Sequence, residues 1–567
     1  MNLFLKITLL TFFCFNFCFQ SFAIGNGRQA KGFTRCDTLR GSLRDERTCY
    51  DVTYYDLSVT IDTAKQAISG VNKIYYKALQ TFDVMQIDFF SNMVIDKIEY
   101  KGVVVPYKRE CDAVFVYTRK ELTQARGSEG SLEVYFHGYP KVARNAPWDG
   151  GFTWKYDEEG TPFIATSVQG IGASLWYPCK DYLGDEPDSM RISITCPQNL
   201  TAVSNGQYEG VEKNEDGTQQ WKWFVSYPIN TYNVSLNLGN YAHFEDEFTY
   251  SDGEKLKLNY YVLKYNLDKA KEQFKQVKPM LKCYEKYLGK YPFMRDGYKL
   301  IEVPYLGMEH QSAIAYGNGY KNGYAGIDFS KIGVLFDYII IHESGHEWWG
   351  NSVSCKDLAD MWIHESFCTY TESIYVECLH DYKTALRYIN AKKNTVGNRS
   401  PIIGPYGVNQ EGDKDMYSKG SLILNTFRSV LGNDNLWWSL IKNISDTTFK
   451  IKNVDANELL AHINKYTGYD FTAMFNQYFR YAAIPTFVYT LKKAKGKEYE
   501  LKYRWQTDVP NFKMPVFIQT GNGKNQRIEC TNEEQTLKMK LASPSKFLVN
   551  ENLIFINVQN TSTKAEK

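Results

Sequence analysis

The chain has 567 residues, 43% hydrophobic and 15% aromatic, so it can bury several cores and form about three or four domains. Lys and Arg number 66 and Asp and Glu 64, leaving a formal net charge of +2. A chain so close to neutral has no long-range field for capturing nucleic acid or anionic lipid, and we expect neither as a partner.

Residues 1–23 have the layout of a secretory signal peptide. One lysine precedes an apolar run from Ile7 to Phe19, and small residues then predict cleavage after Ala23. An uncleaved membrane anchor is the alternative, although the run is short for a bilayer span, and no later stretch is long and apolar enough. We therefore expect export to a periplasmic or extracellular location, with attachment to the cell envelope left open.

The cysteines bear on both disulfides and metal binding. Ten of the 12 lie after the predicted signal, and export makes disulfides possible. Cys36 and Cys49 are the expected local pair because the intervening segment is short and polar. No C-x-x-C sequence occurs, which argues against a thiolate zinc site or a thioredoxin-type centre. We expect the isolated cysteines to be small buried residues.

Alternating apolar and polar residues fill the first part of the mature chain. In "DLSVTID", Leu57, Val59 and Ile61 alternate with polar residues, and similar runs recur from about Asp51 to Tyr250 with turn residues between them. This pattern predicts a β-rich N-terminal domain over 24–247.

The periodicity changes near Lys264, where apolar residues begin to recur every three to four positions. This spacing predicts a helix bent by Pro279, then a strand pair over 298–317 and a glycine-rich loop over 317–326. The loop lacks the G-K-[ST] ending of a phosphate-binding loop, which argues against nucleotide binding. Helical spacing resumes to about Tyr481, and alternation then returns, so we expect domains over 248–483 and 484–567.

The segment "HESGH" offers a metal site. On a helix, His342 and His346 project from one face one turn apart, which suits two nitrogen ligands on one Zn2+. Glu343 lies about 100° further round, close enough to act as a general base on a water beside the metal. The alternative is a histidine-rich helix pair in an ordinary core.

A catalytic zinc needs a third protein ligand and an open position. Glu365 follows His346 after eighteen intervening residues and can reach the metal if the chain breaks at Gly350 and Asn351 and a second helix runs back. Its neighbour His364 competes for the same role. The set "HESGH", "WWGN" and "MWIHESFCTYTES" resembles the H-E-x-x-H-x18-E zinc peptidases of the M1 aminopeptidase family.

The resemblance covers about residues 45–567 and implies a multidomain α+β fold. The expected parts are a β-rich N-terminal domain, a thermolysin-like α/β catalytic domain and a small C-terminal β domain. It also implies one Zn2+ per chain, held by His342, His346 and Glu365. The position of His364 is usually asparagine in the family, so we interpret His364 as a structural or supporting residue.

Two further segments resemble the family's amine-binding residues. "LGMEHQS" is similar to G-x-M-E-N, which implies that Glu309 binds the substrate amine, with Gly307 and Met308 beside it. The match is partial at both ends, and an exposed edge-strand glutamate is the alternative. In "TSVQGIGASLW", Gln169 takes the place of a second amine-binding group, and would have to reach across a domain interface.

"DMYSKGS" resembles the family's Y-x-K-G segment, which implies that Tyr417 stabilises the transition state. We expect Tyr417 at the start of a helix capped by Asp413 or Asp415. Glu372, on the same helix face as Glu365, is placed either to orient the zinc-binding histidines or on the surface.

These residues together predict a secreted zinc aminopeptidase that acts on peptides with a free N-terminus. Many family members continue into a large helical domain, which this sequence does not include, so substrate length stays open, as do side-chain preference and oligomeric state. Two rivals remain: a zinc hydrolase with another substrate, such as an endopeptidase or an epoxide hydrolase, and a noncatalytic peptide-binding or adhesion protein that kept the fold.

Overall fold

The computed structural model describes residues 32–118, 123–330, 336–521 and 523–562. The predicted signal peptide, its apolar run and the polar tail from 563 lie outside the described residues. Among the helices that are described, none combines the length and the apolar character that a bilayer span requires.

The N-terminal part is β-rich, as predicted. Two short helices, α1 (Arg35–Gly41) and α2 (Asp45–Thr48), precede the first strand. The strands that follow are β1 (Tyr50–Asp62), β2 (Ala67–Ala78), β3 (Val84–Asp88), β4 (Met93–Tyr100), β5 (Val103–Val104), β6 (Tyr107–Glu110), β7 (Ala113–Tyr117), β8 (Glu129–Gly138), β9 (Gly151–Tyr156), β10 (Pro162–Ser167), β11 (Ser189–Pro197), β12 (Thr201–Val203), β13 (Gln207–Lys213), β14 (Thr218–Val225) and β15 (Asn237–Gly239).

These strands form an eight-stranded sheet in the order β13-β14-β11-β1-β2-β8-β4-β5 and two smaller sheets, β12-β15-β10-β9 and β3-β7-β6. Leu57, Val59 and Ile61 on β1 are at most 3% exposed, so the alternation read from the sequence marks the core face. The connection between β10 and β11 leaves the sheets and carries Gln169 towards the second domain.

The second domain begins with a five-stranded sheet in the order β16-β17-β18-β20-β19. Residue 247, the predicted boundary, falls inside the first of these strands, because alternation continues unbroken from one domain into the next. Tyr241 in that strand pairs with Leu263, so the whole strand belongs to the sheet of the second domain. The strands are β16 (Tyr241–Thr249), β17 (Lys255–Leu263), β18 (Tyr298–Glu302), β19 (Gly307–Met308) and β20 (Ile314–Tyr316).

Helices make up most of the remainder of this domain. In chain order they are α3 (Leu267–Gln273), α4 (Val277–Tyr287), α5 (Tyr338–Gly345), α6 (Trp362–Leu379), α7 (Tyr382–Ala391), α8 (Ser418–Leu431), α9 (Asp434–Asn443), α10 (Ala456–Thr467) and α11 (Thr472–Arg480). A 3-10 turn over 274–276 separates α3 from α4. Pro279 lies in the first turn of α4. Instead of one helix bent at Pro279, the chain forms two helices separated by the 3-10 turn just before α4.

Two short strands inside this region, β21 (Val353–Cys355) and β22 (Lys452–Val454), pair in parallel. Beyond α11 the chain forms sheets in the orders β27-β24-β23-β29 and β26-β25-β28. Their strands are β23 (Thr486–Lys493), β24 (Glu498–Gln506), β25 (Val516–Gln519), β26 (Gln526–Ile528), β27 (Gln535–Lys540), β28 (Leu548–Val549) and β29 (Asn557–Asn560). These sheets share one hydrophobic core with the helices, and the predicted α+β fold class is confirmed.

The predicted disulfide between Cys36 and Cys49 is wrong. Cys36 pairs with Cys111, at a Cα–Cα distance of 5.8 Å, and Cys49 is a free, buried residue. The segment between Cys36 and Cys49 folds into two helices, which carry Cys49 into the β1 core. A second disulfide, Cys283–Cys378, joins α4 to α6 and was not predicted, because those helices are far apart in sequence.

Candidate active site

His342 on α5 and His346, the residue directly after its end, are each held by the inner ring nitrogen. His342 Nδ1 lies 2.8 Å from Glu372 Oε1, and His346 Nδ1 lies 2.8 Å from the Trp349 carbonyl oxygen. Both acceptors favour the proton on Nδ1, which leaves the Nε2 lone pairs free. The Nε2 atoms of His342 and His346 lie 3.8 Å and 3.4 Å from Glu365 Oε2. The three predicted ligands therefore converge.

The carboxylate of Glu365 has two differently employed oxygens. Oε1 accepts hydrogen bonds from the Tyr417 hydroxyl at 2.8 Å and from Gln169 Nε2 at 2.9 Å. Oε2 is buried and has no hydrogen-bond partner among the described residues. Burial opposes ionisation of Glu365, and the hydrogen bond from Tyr417 favours the ionised carboxylate. An ionised, unpartnered oxygen beside two free imidazole nitrogens fits a zinc ion.

The path of the chain between these ligands follows the sequence prediction. Asp337 caps α5 through its carboxylate, which accepts from the Ile339 amide at 3.0 Å. After His346 the chain turns at Gly350, whose φ of +118° favours glycine. Helix α6 then runs back with Glu365 in its first turn.

Other donors stand close enough to compete. The Cys368 sulfur lies within reach of both histidines, and the carboxylates of Glu309 and Glu343 lie within 4.8 Å of His346. The Cys368 thiol donates to the His342 carbonyl at 2.8 Å, so it is engaged with the backbone of α5. Glu365 Oε2 has no such competing bond, and the Glu365 set is the better one.

Glu372 is fully buried and orients His342, which settles the alternatives left open by the sequence. Glu372 Oε1 contacts His342. The other oxygen, Oε2, accepts from the Tyr388 hydroxyl at 2.6 Å and from Lys392 Nζ at 2.7 Å. Burial opposes the charge, while Lys392 and His342 lower the pKa of Glu372 to about 2. Lys392 and Tyr388 were missed, since neither their type nor their spacing from Glu372 gives any signal in the sequence.

Glu343 lies on α5 at the edge of the cleft and is 8% exposed. Burial raises the pKa of its carboxyl to about 7, although His342 and His346 act in the opposite direction. Gly307 lies directly against it, because a Cβ at that position would stand 3.1 Å from Glu343 Oε1 and still closer to Ile339. Glycine at 307 therefore keeps room around the candidate general base.

Glu309 follows β19 directly and is 3% exposed, which excludes the edge-strand alternative. Its Oε1 accepts from Gln169 Nε2 at 2.5 Å and from the Tyr232 hydroxyl at 3.1 Å. Gln169 thus reaches across the domain interface, as its expected role requires. Tyr232 was missed, since its surrounding sequence "INTYNVS" carries no recognisable motif.

His364 is a structural residue, as interpreted from the sequence. Its Nε2 accepts from the Cys355 amide at 2.8 Å, and Tyr232 lies 3.4 Å from its Nδ1. Burial lowers the pKa of His364 to about 3, so the ring is neutral. With its ring nitrogens in these contacts, His364 takes no part in the candidate metal set.

Tyr417 is the residue from which α8 starts. Asp413 caps the preceding 3-10 turn by accepting from the Asp415 amide at 3.0 Å, so the predicted cap lies one turn earlier than α8 itself. The Tyr417 ring stacks beside His342 with 6.4 Å between ring centres. Its hydroxyl group is thereby directed at the candidate metal ligands.

An open cleft of about 830 Å³ is lined by the three candidate ligands and by Glu343, Glu309, Gln169 and Tyr417. It lies between the two domains, and its walls combine the candidate ligands with Met308, Trp148, Phe329 and Tyr338. Two imidazole nitrogens, a carboxylate with one free oxygen and a second buried carboxylate at the edge of a cleft define a metallohydrolase type of centre.

Comparison with known proteins narrows this class. The Peptidase M1 N-terminal domain model matches residues 52–233, and the Peptidase family M1 domain model matches residues 272–478. The chain belongs to peptidase family M1. The resemblance found in the sequence is therefore confirmed.

Curated relatives share modest identity with the chain. Probable aminopeptidase 2 of Sulfurisphaera tokodaii is 22% identical over 501 residues, covering 83% of this chain and 57% of that protein. Aminopeptidase N of Escherichia coli is 23% identical over 313 residues, covering 50% and 36%. The chain spans about half to two thirds of the length of the first such relatives.

Solved structures share the fold. An M1 zinc metallopeptidase from Deinococcus radiodurans, a mutant bound to a Tyr-Ser-Ala substrate, superposes with a TM-score of 0.62 at 17% identity, covering 76% of this chain and 94% of that one. A two-domain M1 zinc metallopeptidase bound to L-tryptophan gives 0.65 at 18%, covering 78% and 96%. At these identities the likeness establishes the fold.

Proposed function

We propose that this protein is a zinc-dependent aminopeptidase that removes N-terminal amino acids from peptides. Family membership and the aminopeptidase names of the curated relatives support this function. The observation that carries it is the position of Glu309, whose carboxylate lies within 4.8 Å of Glu343 and His346. A carboxylate so close to the candidate base can hold an amine next to the bond that is cleaved.

The amine would be bound by oxygen acceptors. Glu309 is buried, and burial raises the pKa of its carboxyl, so an ammonium group offers it the compensating charge that the site needs. The Gln169 side-chain oxygen adds a second acceptor. In a terminal aminoacyl group the α-ammonium and the scissile carbonyl are attached to the same carbon atom, which sets the cleavage position at the first residue.

The residues present also support the hydrolytic step. Bound zinc would polarise the scissile carbonyl and lower the pKa of the attacking water. Glu343 takes a proton from that water and passes it to the departing amine. The Tyr417 hydroxyl donates to the oxyanion of the tetrahedral intermediate. His342, His346 and Glu365 would hold the metal, and Glu372 orients His342.

We also propose that the protein is exported through its signal peptide and acts in the periplasm or outside the cell. The layout of residues 1–23 supports this location. Two disulfides, Cys36–Cys111 and Cys283–Cys378, support it independently, because disulfides persist mainly in oxidising compartments.

The test compares aminoacyl anilides with their N-acetylated forms, using the intact protein after metal analysis. We expect one zinc per chain and cleavage of the free-amine substrates only. Glu309→Gln should retain zinc and lose about 100-fold in kcat/KM, since it removes the charge that pairs with the ammonium. Glu272→Gln is the control, because Glu272 is an exposed carboxylate paired with Lys275 and does not line the cleft.

Equal cleavage of the acetylated substrates would refute the aminopeptidase assignment and favour a zinc hydrolase of another specificity. Hydrolysis of neither set, with zinc bound, would favour the noncatalytic alternative. Cleavage by a protein that contains no zinc would refute the metal assignment.

A further inference from the structure

Residues 32–49, which we name the N-terminal strap, precede the first family match at residue 52. The strap consists of α1, α2 and their flanking residues. Its outer end is fixed to the β6–β7 turn by the Cys36–Cys111 disulfide and by an ion pair between Arg35 and Glu110. Leu39 is fully buried against Ala113 and Phe115. The strap is therefore a packed part of the N-terminal domain.

The inner end of the strap reaches the cleft through Arg40. Its Nη2 donates to the Ile171 carbonyl and lies 3.3 Å from Asp181 Oδ2. The same Asp181 oxygen accepts from the Ser174 amide at 3.1 Å and from its hydroxyl at 2.6 Å. Arg40 and Asp181 thus hold the loop over 169–174 at Ile171 and at Ser174, and Ile171 lies two residues after Gln169.

The Arg40 and Asp181 side chains pack tightly against the backbone of this loop. A Cβ on Gly172 would overlap both the Asp181 carboxylate and the Arg40 guanidinium, and the φ of Gly172 is +95°. Only glycine permits so close an approach at that point. Because the loop is packed this tightly, a shift of the Arg40 guanidinium moves the backbone between Gln169 and Ser174 with it.

The strap also contacts the opposite wall of the cleft. A Cβ on Gly41 would overlap the backbone of Val408, so the end of α1 lies directly against the catalytic domain. The residues after Val408, namely Asn409, Gln410 and Glu411, line the cleft, as does Arg40. One segment of eighteen residues therefore touches both walls beside Gln169.

Arg47 forms further hydrogen bonds to the backbone of Arg40 and Asp181. Its guanidinium is fully buried, donates to Asp88 Oδ2 at 2.6 Å and to the Asp181 carbonyl at 2.9 Å, and also bonds the Arg40 carbonyl. Burial of a charge is costly unless it is paired, and here Asp88 pairs with the Arg47 guanidinium. Both arginines thus hold the same junction.

We propose that the strap is a positioning element for amine recognition, in which Arg40 acts through Ile171 and Asp181 to fix the loop that carries Gln169. The inference rests on the proposed aminopeptidase function. Gln169 donates to both Glu309 and Glu365, so its position sets the amine-binding carboxylate relative to a candidate metal ligand. Selectivity for a free amino terminus therefore depends on a segment outside both family matches.

Arg40→Ala tests this role, with Arg44→Ala as the matched control. Arg44 belongs to the strap but pairs with Glu46 inside it. With aminoacyl anilides we expect Arg40→Ala to raise KM about tenfold and to lower the preference for free over N-acetylated amine by a similar factor. Zinc content and kcat should change far less, and Arg44→Ala should match the wild type.

Two further measurements keep the inference falsifiable. Arg40→Lys retains the charge and should raise KM less than Arg40→Ala does. A merely destabilising substitution would not explain that difference. Hydrogen exchange of the amides over 169–174 should be faster in Arg40→Ala than in Arg44→Ala, whether or not a substrate is known.

Identical KM, selectivity and loop exchange in Arg40→Ala and Arg44→Ala would overturn the inference while leaving the aminopeptidase function intact. Equal cleavage of free and N-acetylated substrates by the wild-type protein would instead refute the proposed function, and with it the role assigned to the strap. Should Arg40→Ala fail to fold, Arg40→Lys against Arg44→Lys carries the same comparison, with a smaller rise in KM expected.

Discussion

The metal-binding half of the cleft and its amine-binding half are built in different ways. His342, His346 and Glu365 come from two successive helices within 24 residues of sequence. Glu309, Gln169 and Tyr232, which meet at one carboxylate oxygen, come from two domains and three separate segments. A local helix pair can fix metal ligands by itself, whereas recognition of the substrate requires the domains to be assembled.

This contrast predicts two kinds of defect. Substitutions in the metal-binding half should lower kcat or zinc affinity for every substrate. Substitutions in the amine-binding half should raise KM for substrates with a free amine and should leave the metal in place. The four substitutions below test the division, beginning with the largest expected effect.

Glu343→Gln should lower kcat by about 10²–10⁴-fold, because an amide cannot accept the proton of the attacking water. Zinc content should not change, since the predicted ligands remain. Steady-state rates together with metal analysis check this outcome. Substantial activity of a zinc-loaded Glu343→Gln protein would refute its role as the base.

Tyr417→Phe should lower kcat by about 10²–10³-fold, the usual effect of removing one donor to an oxyanion. KM should change little, because the hydroxyl group acts mainly on the transition state. Tyr406→Phe is the control, since the Tyr406 hydroxyl donates to Asp360 at 2.9 Å and not to Glu365. Similar rates for the two variants would remove Tyr417 from the mechanism.

Lys392→Met should weaken zinc binding by about 10–100-fold, because it leaves the buried Glu372 carboxylate without its cation and loosens His342. Competition with a chelator measures this affinity without reference to activity. The adjacent Lys393→Met is the matched control, since Lys393 donates to the Glu551 carbonyl. Equal zinc affinities in the two variants would contradict the role of Lys392.

Tyr232→Phe should raise KM for free-amine substrates about three- to tenfold, since it removes one hydrogen bond to Glu309. It should not alter zinc content, which separates it from the preceding variants. Tyr177→Phe removes a buried hydroxyl nearby, bonded to the Thr231 carbonyl, and serves as the control. A loss of zinc in Tyr232→Phe would break the proposed division of the cleft.

The same division explains how much could be read from the sequence. The helical period alone places His342 and His346 on one face, and the glycine at 350 marks the turn that returns Glu365 to them. Glu309, Gln169 and Tyr417 needed a family resemblance, because nothing in their spacing relates them to the histidines. Their convergence is a property of the tertiary fold.

Features that depend only on packing could not be predicted. Lys392 reaches Glu372 because it directly follows α7, which packs against α6. A lysine in a helical stretch otherwise indicates a solvated surface. The Cys36–Cys111 disulfide was missed because local spacing favoured Cys49, while the helices of the strap turn Cys36 towards the β6–β7 turn. The domain boundary near 247 fell within β16 because strands lie on both sides of it.

The shared carboxylate of Glu365 has one more consequence. Since Gln169 of the N-terminal domain donates to its Oε1, separating the two domains would deprive a candidate metal ligand of a donor. Cation occupancy and interdomain geometry are then thermodynamically linked, and linkage is reciprocal. A change in interdomain geometry therefore alters metal retention, and metal binding alters the interdomain geometry by the same coupling free energy.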